Sequence, residues 1–82
     1  MPQLIRFANG LIIKFYFMDH NPPHVHAQKD DMDGEFDIRT GEMIVGDLTA
    51  VLQSQAKEWI LGHSEQLIRV WNTQEVDSNE FS

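Results

Sequence analysis

The chain reads as a small α+β domain: a mostly antiparallel sheet of four to five strands, followed by a C-terminal helical segment packed on one face. Three observations predict it. Apolar residues recur with period two before Val45 and at steps of three and four after Thr49, so strands give way to helix. Turn signals at Asn9-Gly10, Asp33-Gly34 and Gly41-Glu42 punctuate the first half at hairpin spacing. Finally, 82 residues make one domain with one small core. A chain this short buries only about 60% of its unfolded surface, so a homodimer or a partner complex would help to stabilise it.

Residues 3–8 and 11–17 are apolar, β-rich runs around Asn9-Gly10. That dipeptide is a strong hairpin signal and predicts positive φ at both turn positions. In the second run Leu11, Ile13, Phe15 and Phe17 form one row, expected in the core. Ile12, Lys14 and Tyr16 form the other, expected to be half exposed. A stiff corner follows at Asp19-His20-Asn21-Pro22-Pro23, because two prolines fix φ and remove two donors. Pro22 also keeps Asn21 out of helical geometry.

Residues 24–29 are expected as a third strand, residues 30–34 as a turn cluster, and residues 35–39 as a fourth strand. Alternation constrains their faces. Val25 and Ala27 should share the core side with Phe36 and Ile38. His24, His26 and Gln28 must then share the opposite side with Glu35, Asp37 and Arg39. Thr40-Gly41-Glu42 turns the chain into a short fifth strand, Met43-Ile44-Val45.

Leu52, Ala56, Trp59, Ile60, His63, Leu67, Val70 and Trp71 fall on a helical stripe, with Thr49 or Asp47 as the cap. The stripe keeps phase across Gly62 and predicts one helix over 50–74. The alternative is two helices, with Gly62 as the stop and Ser64 as a new cap. Trp59 should lie against the sheet near Phe15, Phe36 and Ile38. His63, on the apolar stripe, reads as a satisfied core or interface histidine. Residues 1–74 form the domain, and residues 75–82 an acidic, flexible tail.

Composition narrows the function. The net charge is −7 and the six Lys and Arg residues are scattered, so no direct nucleic-acid binding is expected. An acidic protein still suits a basic partner. With no cysteine, disulfides and thiolate metal sites are excluded. No basic-then-apolar leader and no membrane-length apolar run occur, so a cytoplasmic, membrane-free location is expected.

The chemistry-bearing residues concentrate in Asp19-His20-Asn21-Pro22-Pro23-His24-Val25-His26. Two readings stay open. Lys14, Tyr16, His24, His26, Asp37 and Arg39 could form a binding face on the side of the sheet that the helical segment leaves uncovered. Alternatively, Asp19, His20, His24 and His26 could ligate a divalent metal such as zinc, since strand histidines two residues apart stand about 6.6 Å apart at Cα and their rings can converge. On the first reading no cofactor is expected; on the second the chain is a small metal-dependent hydrolase or nuclease. Whether it is an enzyme is open at this point, with the balance towards a binding module. His24-Val25-His26-Ala27-Gln28 also resembles the catalytic strand of nucleotidyl-transferring histidine-triad proteins, but no nucleotide pocket or glycine-rich phosphate loop accompanies it.

The Met-Pro start, the hairpin, the Asp-His-x-Pro-Pro-His-Val-His run, Gly41-Glu42, and a helix carrying Glu58-Trp59 and Trp71 together resemble a bacterial family, domain of unknown function 4160. The likeness covers almost everything but the acidic tail. It implies a small α+β protein of bacteria or their mobile elements. It also implies a partner: a second small protein encoded by a neighbouring gene, in a pairing that looks like a toxin–antitoxin module. Gly62 departs from the family pattern, whose helix usually has no glycine there, and this puts the unbroken helix in doubt.

Overall fold

The computed structural model describes residues 3–77, 80 and 81. Five strands, β1 (Gln3–Arg6), β2 (Ile12–Lys14), β3 (His24–Lys29), β4 (Met32–Asp37) and β5 (Met43–Gly46), form one antiparallel meander in chain order. Two helices follow, α1 (Ala50–Gly62) and α2 (Ser64–Thr73). This is the α+β architecture that the change of period predicts. Met1 and Pro2 lie outside the described residues.

The first hairpin turns more widely than expected. Phe7 N donates to Leu11 O at 2.8 Å and Gly10 N to Phe7 O at 2.9 Å, so the loop is Ala8-Asn9-Gly10. Only Gly10 has positive φ, at 96°. A three-residue loop ending in a left-handed glycine meets the strand twist as well as the two-residue turn does. Asn9 instead uses its side chain, accepting from Leu11 N at 3.1 Å.

The β3–β4 turn is Asp30-Asp31, with Asp30 at φ 55°, and β4 starts at Met32 rather than at residue 35. Pairing with β3 runs to the end of that strand, with Gln28 opposite Asp33 and Lys29 opposite Met32, and β5 joins from Gly34 onward. Gly34 pairs directly with Gly46, and a Cβ on Gly46 would overlap Asp33 O and Gly34 Cα. Two glycines let these backbones approach, and Asp47 extends the pairing: its N–H donates to Asp33 O and its Oδ1 accepts from Asp33 N, both at 2.9 Å.

Leu11, Ile13, Phe15, Val25, Ala27, Phe36 and Ile38 line the inner sheet face. Leu48, Leu52, Ala56, Trp59, Ile60, Leu67 and Val70 cover them from the helical side. Register keeps the alternation coherent: Ile13 pairs with Ala27, and Val25 with Phe36. Phe17 leaves the expected row. β2 ends at Lys14, and Phe17 is 45% exposed, touching Phe15 edge-on at 5.3 Å.

Thr49 caps α1, its hydroxyl accepting from Leu52 N at 3.3 Å. The single helix over 50–74 does not form. His63, at φ −128° and ψ 20°, separates α1 from α2. Gly62 is not left-handed, and Ser64 does not cap α2. A shifted backbone bond and two side chains take up the carbonyls at the interruption, with Ile60 O accepting from His63 N at 3.1 Å. His63 Nδ1 donates to Trp59 O at 2.7 Å, and Ser64 Oγ reaches Ile60 O at 3.1 Å. The His63 ring also stacks on Trp59, with centroids 4.4 Å apart. Leu67 and Val70 remain on the sheet side, so the break leaves the apolar stripe in phase.

The described tail residues lie against the helices. Val76 and Phe81 pack on the core, Phe81 stands 5.5 Å from the Trp59 ring, and Glu80 pairs with Arg69. No helix among the described residues is long and apolar enough to cross a membrane.

Candidate functional site

The sheet has a second face. Pairing carries one row, Gln3, Lys14, His26, Glu35 and Val45, across all five strands on that side. Paired residues share a face, and this row alternates with the buried one. No helix covers it. Tyr16, His26, Gln28, Asp33, Glu35 and Val45, with Gly34 and Gly46, line a cleft of about 320 Å³ there. Lys14 Nζ donates to Gln28 Oε1 at 2.9 Å, and the Tyr16 ring meets the His26 ring edge-on at 4.0 Å. A larger cleft lies between α2 and the tail, lined by Gln66, Arg69, Thr73, Glu75, Asp77 and Glu80. It holds no histidine and lies away from this face.

At one end of the face the proline corner closes over β3. Met18 turns left-handed, at φ 63°, and its N–H donates to Gln74 Oε1 at 2.6 Å, tying the loop to the end of α2. The next residue, Asp19, therefore points back at the strand. The Asn21–Pro22 bond is cis. Pro22 O accepts from His24 Nδ1 at 2.7 Å, and Pro23 O from Ile38 N at 3.0 Å. The corner thus bonds both to the histidine it delivers and to the segment that follows β4.

Asp19 is the hub. Its Oδ2 lies 2.8 Å from His24 Nε2 and 3.3 Å from His26 Nε2, and its Oδ1 accepts from His20 N at 3.1 Å. Burial pushes the Asp19 carboxyl up, but the hydrogen bonds from His26, His24 and the His20 backbone outweigh it. The net position is below the ordinary carboxylate value. Glu35 Oε1 stands 4.0 Å from His24 Nε2 and 3.9 Å from His26 Nε2. The Trp71 ring lies 5.3 Å from that of His24.

The structure sorts the sequence candidates. Asp19, His24 and His26 come together, with all three ligand atoms within 4.8 Å of one another. His20 does not join them: its side chain is 93% exposed and its Nδ1 is 3.5 Å from Asp19 Oδ1. His24 lies on the second face by register but is only 5% exposed, because the corner and Trp71 close over it. Lys14 and Tyr16 lie on the open face with His26. Asp37 and Arg39 do not serve the histidines. Asp37 Oδ1 accepts from Arg39 N at 2.7 Å and Thr40 N at 3.3 Å, holding the turn into β5. Gln28, Glu35 and Val45 belong to the face but were not among the candidates. Alternation already put Gln28 and Glu35 beside His26; Val45 depends on the β5 register, for which the sequence carries no signal.

A family model for a domain of unknown function (DUF4160) matches residues 10–72. The match runs from the start of β2 almost to the end of α2, and so includes the corner and both strand histidines. No curated protein and no solved structure matches significantly.

Proposed function

We propose that this chain, which belongs to the DUF4160 family, is a protein-binding module that docks a partner on the uncovered sheet face. The observation that carries the reading is the asymmetry of the sheet. Both helices pack on one side, and the other presents Tyr16, His26, Gln28, Glu35 and Val45 around a cleft with no layer over it. Aromatic side chains beside such a cleft suit the anchoring role that a few residues take in interfaces. The net charge of −7 and the carboxylates of Asp33 and Glu35 favour a partner with a basic surface. The partner is the small protein encoded beside it, in a toxin–antitoxin-like pair within the bacterial cytoplasm.

Co-expression with the neighbouring gene product tests the reading. The two chains should co-purify. Tyr16→Ala combined with Val45→Glu should abolish the complex. Val51→Glu, on an exposed position of α1, should leave it intact. Loss of binding by Val51→Glu alone would put the interface on the helices instead. The convergence of Asp19, His24 and His26 favours a second reading, a small metal-dependent hydrolase or nuclease. Metal-stimulated phosphodiester cleavage that His26→Ala abolishes would select it over the binding module.

A further inference from the structure

We propose that Asp19, His24 and His26 hold one divalent transition-metal ion of the zinc class. The inference rests on neither functional reading; it stands on the side chains alone.

The argument begins with the His24 ring. Its Nδ1 lies 2.7 Å from Pro22 O, and a carbonyl oxygen can only accept. Nδ1 therefore carries a proton. In the neutral ring, Nε2 then presents a lone pair to Asp19 Oδ2 at 2.8 Å. Two acceptors at that distance need a cation between them, either a proton or a metal ion. His26 Nε2 faces the same oxygen at 3.3 Å. One metal ion satisfies all three atoms at once.

The spacing agrees. Donor atoms about 2 Å from a tetrahedral ion stand roughly 3.3 Å from one another. Of the two carboxylate–imidazole distances, the 3.3 Å to His26 meets that value and the 2.8 Å to His24 is shorter, and no pair exceeds 4.8 Å. The surroundings agree too. An imidazole ligand usually donates its other nitrogen to a carbonyl or carboxylate, which fixes ring orientation, and Pro22 O does this for His24. His24 is buried and Asp19 is held by the His20 N–H, so both are oriented before any ion arrives. Two imidazoles and one carboxylate select zinc, cobalt or nickel over magnesium and calcium, which prefer all-oxygen sites. Glu35, about 4 Å from both nitrogens, is the nearest further carboxylate.

The test uses the full chain without an affinity tag. Metal-free protein is titrated with Co²⁺, following its visible absorption, and Zn²⁺ is then added to displace it. One equivalent should bind, and Mg²⁺ should not compete. In the wild-type protein Zn²⁺ should shift the ring resonances of His24 and His26 and leave those of His20 and His63 in place. His26→Gln and Asp19→Asn should each weaken binding by at least about tenfold, while His20→Gln and His63→Gln should not. Folding of each variant is checked by circular dichroism; if His26→Gln or Asp19→Asn fails to fold, the wild-type resonances decide. The proposal is overturned by absence of saturable one-to-one binding, by shifts centred on His20 or His63, or by full affinity in both folded ligand variants.

Discussion

Replacing Gly62 with alanine should stabilise the protein, and the sign of that effect tests why the helical segment breaks. Gly62 closes α1 without positive φ, and nothing lies within 4 Å of the position its Cβ would take. Glycine in a helix costs about 0.5–1 kcal/mol relative to alanine. In a domain of this size 1 kcal/mol moves Tm by about 4–8 °C, so Gly62→Ala should raise it by about 2–8 °C. Gly41 supplies the opposite case. Its φ is 72°, and a Cβ there would stand 2.8 Å from Lys57 Cγ. Left-handed backbone alone costs about 1–2 kcal/mol for a residue with a Cβ, so Gly41→Ala should lower Tm. Thermal unfolding followed by far-UV circular dichroism reads both. If Gly62→Ala lowered Tm, glycine itself would be the terminator, and the account of His63 and Ser64 holding the freed carbonyls would be wrong.

Trp59→Ala should cost about 3–5 kcal/mol, because a buried indole in contact with His63 and Phe81 leaves a cavity. That is a large part of the roughly 4–12 kcal/mol expected for a chain of this length, so urea unfolding should shift to much lower concentrations. Trp71 remains as a fluorescent reporter, and an unchanged midpoint would mean that Trp59 is not core. In the metal-free protein the depressed Asp19 carboxyl contributes stability that is fully present above its unfolded value of about pH 4. That contribution is lost as pH falls through the lower folded value. Asp19→Asn should therefore be less stable at neutral pH and show a flatter loss on acidification, measured as urea midpoints across a pH series. An acid limb identical to wild type would remove Asp19 from the account.

The parts of the fold that depend on local pattern were legible. Alternation over residues 24–28 set Val25 and Ala27 against Phe36 and left His26 and Gln28 on the other side, whatever the details of pairing. The helix break was legible only as the alternative that Gly62 suggested, not from the apolar pattern. An interruption that keeps Leu67 and Val70 on the sheet side leaves no trace in the apolar period, and its stabilising bonds come from His63 and Ser64 side chains. The partner of the histidines was half legible. Asp37 pairs with His24 in the ladder, but its carboxylate is taken by the N–H groups of Arg39 and Thr40. Asp19 reaches the rings because Gln74, at the far end of the chain, holds Met18 N, and the burial of His24 depends on Trp71. Such contacts between distant segments have no local signature. β5 itself was expected at Met43-Ile44-Val45, but its register, with Gly34 opposite Gly46, has no such signature.

The most direct test of the central claim, that the uncovered sheet face is the working surface, is a ¹⁵N chemical-shift titration of the labelled chain with the neighbouring gene's product. The account predicts that the perturbed amides cluster at Lys14, Tyr16, His26, Gln28, Glu35 and Val45, around the cleft and the paired row beside it. A saturable titration whose shifts cluster instead around Val51 and Leu61, the exposed apolar positions of α1, would contradict it.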